Sequence, residues 1–369
     1  MKKVWIAADS IVSPLGLTTA ENYENLRQGV SGLSLIQDVA LNSEPFYGGK
    51  IATILNDTEI SKFEALCKSV IEQLLSKASF DPKRSIFILS TTKGNITFLE
   101  EGQTDHPRIH LHKTAAYLSD LFGFKDHLAI SNACISGVMA IVVGKRMIEA
   151  GQYHHAVVVG ADVLSRFVIS GFQSLQALSV DKCKPFDAKR NGINLGECAA
   201  GIVLSSVRPE SESNAVCIAG GGLSNDANHI SGPSRTGEEL GFAVRQAVEE
   251  SKIALEDIDF VSAHGTATVY NDEMEAKAFH LLNLNEVPLN SFKGYYGHTL
   301  GAAGILETIL SAQSLKHNEL IATAGFDQPG VSKSVNIIKH LEPRPLRTCL
   351  KTASGFGGCN AAIILQKQP

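Results

Sequence analysis

Leu128-Ala129-Ile130-Ser131-Asn132-Ala133-Cys134-Ile135-Ser136-Gly137 reads as a short apolar strand running into a turn that carries one thiol. An apolar-periodic segment from Ser136 to about Ala150 follows and reads as a helix. Gly151 stops it, and Ala156 to Gly160 reads as a buried strand. The second half of the chain repeats the plan. Val287-Pro288-Leu289-Asn290-Ser291 leads to His298, Leu300 to Leu315 reads as a helix rich in Gly and Ala, and Leu320 to Thr323 is β-like. Two strand–turn–helix units, with Cys134 and His298 at equivalent helix starts, predict an α/β chain built from two copies of one unit. The polar stretch Arg208 to Asn214 lies between the strands Gly201–Leu204 and Ala215–Ile218. It reads as a surface connection that divides the chain into halves 1–207 and 208–369.

The composition suits a well-buried globular core: of 369 residues, 44% are hydrophobic and 19% charged. The net charge of −5 is dispersed, which argues against a nucleic-acid partner, since that would need clustered Lys and Arg. Apolar runs are strand-sized, so no membrane span is expected. Asp9, Ser10 and Ser13 interrupt any signal-peptide core, which predicts a cytoplasmic protein. The seven cysteines form no CxxC pair and read as reduced, buried fillers, Cys134 excepted.

Three segments carry chemistry: Asn132 to Gly137, Ala263-His264-Gly265-Thr266-Ala267-Thr268, and Lys293 to Gly304. A thiol is a few per cent thiolate at neutral pH unless its pKa falls, and a helix N-terminus is expected to lower that of Cys134. His264 follows an apolar run, and His298 precedes a helix whose positive end disfavours imidazolium, as would Lys293 if close. Two neutral imidazoles donating N–H groups to one oxygen would stabilise an enolate. The alternative for each histidine is a satisfied core residue. Zinc bound by Cys134, His264 and His298 is a further alternative without short-spacing support. Gly355 to Asn360 is a glycine-rich turn that either cradles a phosphate or reverses the chain, and Gly220 to Gly222 reads as a bend. His106, His110 and His112 alternate as in a loop or edge strand and lack a closing metal ligand. His154 and His155 read as a turn entering a strand.

In their order, these blocks resemble the elongating β-ketoacyl-acyl-carrier-protein synthases of the thiolase fold. The likeness covers nearly the whole chain. Ser13-Pro14-Leu15-Gly16, Gly29-Val30-Ser31-Gly32, Lys184-Pro185-Phe186-Asp187, Arg190-Asn191-Gly192 and Gly196-Glu197 match further family segments. The resemblance implies a five-layered α-β-α-β-α fold of two pseudo-repeated halves. It makes Cys134 the nucleophile that accepts an acyl group from a phosphopantetheine thioester. The N–H groups of Cys134 and Phe356 would form the oxyanion hole, with Phe356 as a gate. His264 and His298, with Lys293, would serve the decarboxylation of malonyl carrier protein. Thr266 and Thr268 would bind the pantetheine arm, and Glu275 and Glu307 would belong to the supporting polar network. His298 stands where chain-initiating relatives resemble an Asn and degradative thiolases a second Cys, so elongation is implied.

The implied function is decarboxylative Claisen condensation in fatty-acid or type II polyketide assembly, aryl-polyene assembly included, without metal or organic cofactor. The implied partners are an acyl carrier protein and a second subunit, either a copy of the chain or a chain-length factor. A non-catalytic chain-length-factor-like role is the alternative. Ile135, Met139 and Cys198 depart from the family pattern and are expected to alter the acyl pocket more than the chemistry.

Overall fold

A computed structural model of the chain describes residues 3–52, 60–209, 214–226 and 232–368. Ten strands form the main sheet. The first half supplies β1 (Val4–Val12), β2 (Ser85–Ser90), β3 (Asp126–Ile130), β4 (His155–Asp162) and β5 (Cys198–Ser205). The second supplies β6 (Ala215–Asn225), β7 (Phe260–Ser262), β8 (Leu289–Asn290), β9 (Thr348–Gly355) and β10 (Cys359–Gln368). Outward from the centre, the strand order is β1-β5-β4-β2-β3 on one side and β6-β10-β9-β7-β8 on the other. Strand directions match as well: β5 is antiparallel to β1 and β4, and β10 to β6 and β9. The remaining pairs in each half are parallel. One topology is therefore present twice. The copies join where β1 runs antiparallel to β6, at Val4–Ile218 and Trp5–Cys217.

The helices divide into three layers. α1 (Lys62–Lys77) and α2 (Leu111–Leu121) cover the outer face of the first half-sheet. α3 (Ser136–Glu149) lies in the interior, and α4 (Arg166–Ser174) follows β4. α5 (Glu238–Ser251) and α6 (Val269–Leu281) cover the second half-sheet. The short α7 (Lys293–Tyr296) precedes α8 (Ala303–His317). α3 and α8 touch each other and strands of both half-sheets, so the joined sheet folds around them. The result is the α-β-α-β-α layering of the thiolase fold. Alternation along the strands explains it. Val157, Val159 and Ala161 of β4 pack with Phe63, Leu66 and Val70 of α1, while Ala156 and Val158 pack with Val138, Ile141 and Ile305 of the central layer. A strand buried on both faces reads as an unbroken apolar run, which is why Ala156 to Gly160 stands out in the sequence.

Two sequence readings need correction. Gly220 to Gly222 is not a bend but the middle of β6. A Cβ at Gly220 or Gly222 would lie 2.0 Å from the carbonyl oxygen of Ala247 or Ala243 on α5, and one at Gly221 would lie 2.8 Å from Val142 on α3. The strand is bare because helices press on it from both sides. His106 and His110 lie in a loop, on either side of the 3-10 turn Pro107–Ile109, as one of the two readings has it; His112 departs from both and lies in the first turn of α2. The ring of His106 packs 4.1 Å from that of Phe98, and its Nδ1 accepts the N–H of Arg108. His155 opens β4, as expected, and Gly355 to Asn360 reverses the chain between β9 and β10. Within the connection at Arg208–Asn214, residues 210–213 lie outside the described residues. Among the described residues, no helix is long and apolar enough to cross a membrane.

Gly220→Ala must push α5 off β6. Overpacking of this kind costs about 1–3 kcal/mol. A lower denaturant midpoint at unchanged slope is the expected result, and an unchanged midpoint would refute this account of the glycines.

Candidate active site

Cys134 lies in the tight turn from β3 into α3. Ala133 adopts a left-handed φ of +44°. Ser136 locks the turn: its Oγ accepts the N–H of Asn132 at 2.7 Å and donates to the carbonyl of Ala133 at 2.6 Å. Gly355 abuts this turn so closely that a Cβ there would lie 3.0 Å from the Cys134 nitrogen. The β9–β10 turn therefore brings Phe356 beside the Cys134 N–H. Phe356 is half-exposed and stacks on Phe172 of α4, with ring centroids 5.6 Å apart.

His264 follows β7, and two carboxylates of α6 cradle its segment. Glu275 accepts the N–H groups of His264 and Gly265 at 2.8 and 2.7 Å. Asp272 accepts those of Thr266 and Phe186 at 3.0 and 2.7 Å. Gly265 is left-handed at +46°, and a Cβ there would strike Ser291. Thr266 and Thr268 bond to each other through their hydroxyls at 2.8 Å, just before the exposed Val269 and Tyr270. They therefore stand where buried chain reaches the surface.

His298 is held by its backbone. Its N–H donates to Asn194 O at 2.7 Å, and its carbonyl accepts from Gly196 at 3.0 Å. Its ring is buried, and neither ring nitrogen has a protein partner. The two imidazoles meet edge to face, with centroids 5.2 Å apart. Lys293 donates to His264 O at 2.9 Å, bonds Glu307 at 2.5 Å and faces His264 Nδ1 at 3.5 Å. An ammonium opposite Nδ1 places the neutral ring's proton on Nε2.

The ligand-capable atoms of Cys134, His264 and His298 all lie within 4.8 Å of one another. The three sequence segments, 34 to 164 residues apart in number, thus converge at one point. A tetrahedral zinc site asks for N and S ligands about 2.0–2.3 Å from the ion and commonly four of them. Among the described residues this cluster offers three, and no other such group occurs.

Burial drives the electrostatics. It is the largest reason that His264 and His298 lie well below the usual imidazole range, and Lys293 and Lys351 add to it. Both rings are neutral at pH 7. The thiol departs from the sequence expectation: burial pushes Cys134 up to about 12, with Cys359 adding and Lys293 opposing. A helix N-terminus contributes at most about 2 kcal/mol, roughly 1.5 pKa units, which is too little to reverse that rise. Cys134 therefore rests as a thiol. Asp272 is raised to about 7, chiefly by burial.

Sequence reading missed several participants. Lys351 ion-pairs with Glu307 at 2.7 Å. The signal available was a lone charge in the otherwise uncharged strand Thr348–Gly355. Asp162, at the end of β4, accepts the N–H of Gly301 at 2.7 Å and bonds Thr91 and Thr92, which ties the start of α8 to the loop after β2. Asp272 was legible only as an acid three residues before Glu275 on one helix.

Comparison with known proteins identifies the family. Residues 111–209 match the beta-ketoacyl synthase N-terminal domain, and residues 215–327 match its C-terminal domain. The chain is 32% identical to 3-oxoacyl-[acyl-carrier-protein] synthase 2 of Rhizobium meliloti over 65% of its own length and 60% of that protein's. It is 30% identical to nodulation protein E of Rhizobium leguminosarum bv. trifolii over 77% of the chain and 71% of that protein. One chain of the solved complex of a ketosynthase with its chain length factor, from Xenorhabdus doucetiae, superimposes with a TM-score of 0.90 at 25% identity. That match covers 100% of this chain and 98% of the other. On these matches, the chain belongs to the β-ketoacyl synthase family of acyltransferases.

Proposed function

We propose that the chain is a catalytically competent 3-oxoacyl-[acyl-carrier-protein] synthase acting in fatty-acid or type II polyketide assembly. The observation that carries this reading is the convergence of Cys134, His264 and His298 within 4.8 Å, with both ring nitrogens of His298 unpartnered. Buried polar atoms without partners await a ligand, because leaving them unmade costs about 1–3 kcal/mol each. In the first step Cys134 Sγ attacks an acyl-phosphopantetheine thioester. The thiol proton leaves through a neutral imidazole to the departing pantetheine thiolate, and the N–H groups of Cys134 and Phe356 receive the oxyanion. In the second step malonyl carrier protein loses carbon dioxide. The ring N–H groups of His264 and His298 hold the enolate oxygen while its carbon attacks the acyl-Cys134 thioester. The 3-oxoacyl product leaves on the carrier, and the Cys134 thiolate takes a proton from water.

Thr266 and Thr268, at the passage from core to surface, bind the pantetheine arm. Glu275 and Glu307 hold His264 and Lys293. The partners are an acyl carrier protein and a second subunit, a copy of this chain or a chain-length-factor-like protein. The solved relative paired with a chain length factor supports the latter arrangement. The division into a nucleophile half, 1–207, and a histidine half, 208–369, belongs to the same reading, and the repeated strand order supports it.

Intact-protein mass after incubation with acyl carrier proteins tests the proposal. An acyl increment is expected for the native chain and none for Cys134→Ala. His298→Ala keeps the increment but loses about 10²–10³-fold in condensation, the cost of one oxyanion donor. Pathway output unchanged in Cys134→Ala would establish the non-catalytic, chain-length-factor-like role instead. The state of the thiol has its own check. A pKa pushed up to about 12 leaves a thiolate fraction that grows about tenfold per pH unit. Alkylation of Cys134 by iodoacetamide should climb accordingly from pH 7 to 10. A plateau below pH 8 would show a pre-formed thiolate.

A further inference from the structure

Glu307 lies between two buried lysines, and only one of them belongs to the segment that carries His298. Lys293 Nζ donates to Oε1 at 2.5 Å, and Lys351 Nζ, from β9, forms an ion pair with Oε2 at 2.7 Å. Both lysines are fully buried. Lys351 also donates to the carbonyls of Ser262 and Ala263 at 3.3 Å and to Thr352 O at 2.5 Å. Ser262 and Ala263 are the two residues immediately before His264. Thr352 in turn donates through its hydroxyl to Glu275 Oε1 at 3.1 Å, and Glu275 holds the N–H groups of His264 and Gly265. Adjacent residues of one strand thus grip both carboxylates behind His264, and Lys351 grips the backbone that leads into it.

Packing does not require this ammonium. A buried ion pair is often no more stabilising than apolar side chains of similar volume, and Lys293 alone already answers the charge of Glu307. What Lys351 adds is a second cation. The groups facing the imidazole pair are Lys293 of α7, Lys351 of β9, Glu307 of α8, Glu275 of α6 and the thiol of Cys134 before α3. Two lysines stand against two carboxylates, with burial pushing the Glu275 carboxyl upward and the Lys351 ammonium downward. Both lysines act on both rings in the same direction as burial.

We propose that Lys351 is a positioning residue of the condensation site. By bridging Glu307 and the Ser262–Ala263 carbonyls, it fixes Lys293 against His264 and sets a second positive charge beside the imidazole pair. The proposal deepens the ketosynthase reading and rests on it.

The test compares the full-length native chain with Lys351→Met, which fills the space without charge, and with Lys351→Gln, which keeps hydrogen-bond donors without charge. Glu307 keeps Lys293 in both variants. If Lys351→Met does not fold, Lys351→Gln decides. Ring titrations are read by NMR of histidine-labelled protein, assigned with His264→Gln and His298→Gln. Native rings are expected to stay neutral to well below the pH at which a free imidazole takes its proton. Without the Lys351 charge their titration should move up by about one unit, a tenfold larger protonated fraction at a given pH. The acid limb of malonyl decarboxylation should move with it. Condensation should fall about tenfold further than acyl loading of Cys134. Ring titrations and acid limb unmoved in a folded variant, with condensation falling no further than loading, would overturn the proposal. Absence of loading and condensation in the native chain would overturn the ketosynthase reading instead, while the ring titrations would still judge the Lys351 charge.

Discussion

Where α3 and α8 cross, a Cβ at Gly137 would lie 2.9 Å from the Ile305 nitrogen, and one at Gly304 would lie 2.5 Å from that of Val138. Neither position accepts a side chain while the helices keep their separation, because interiors are close-packed and backbone atoms do not yield. The crossing sits beside both chemical groups. Cys134 is three residues before Gly137, and His298 is six before Gly304. Two copies of one topology, with Cys134 and His298 each just ahead of its central helix, are brought face to face by this contact. Asp162 completes the placement by clamping Gly301 N–H from β4, so the start of α8 is tied to the first half-sheet as well. The outer helices, the half-sheets and the seam between β1 and β6 all serve to keep that central pair in register.

Charge follows from the same burial. Once three ionisable groups are placed among closely packed glycines and alanines, each favours its neutral form. The imidazoles lose affinity for a proton, and the thiol gains it. For the histidines burial and the lysines act together; for the thiol, burial works against Lys293 and prevails. The resulting neutral site stores its reactivity as hydrogen-bond donors and one exchangeable proton, with no free charge at the reacting atoms.

Local signals in the sequence were legible, and relations between distant segments were not. The units around Cys134 and His298 could be read because strand, turn and helix follow one another within about thirty residues, with a clear change of apolar period. Gly220 to Gly222 was misread as a bend because the reason for three bare residues is the backbone of α5, which sequence spacing does not show. The histidines at 106, 110 and 112 alternate like an edge strand, but Pro107 starts a 3-10 turn that carries the chain into α2. The thiol's helix-end position was found, whereas its elevated pKa was not, since burial is a tertiary quantity. Lys351 was passed over because its partner, Glu307, is 44 positions away on another element.

The proton inventory of the site gives the proposed reaction its order. At rest, sulfur holds one proton and each neutral ring holds one, so the site presents donors and no base stronger than imidazole. Arrival of a thioester lets the sulfur proton leave on the departing pantetheine thiolate, and beside the backbone N–H groups that face the acyl oxygen the acylated site keeps the two ring N–H donors. Those donors suit an oxygen that becomes negative, which decarboxylation of a malonyl thioester supplies without abstracting any proton. A ring already protonated would disturb this sequence, because it would present a formal charge to the malonyl carboxylate and stabilise the ground state before carbon dioxide leaves. Keeping both rings neutral therefore matters more for the second step than for the first. The lysines and carboxylates behind His264 are placed to act on that step.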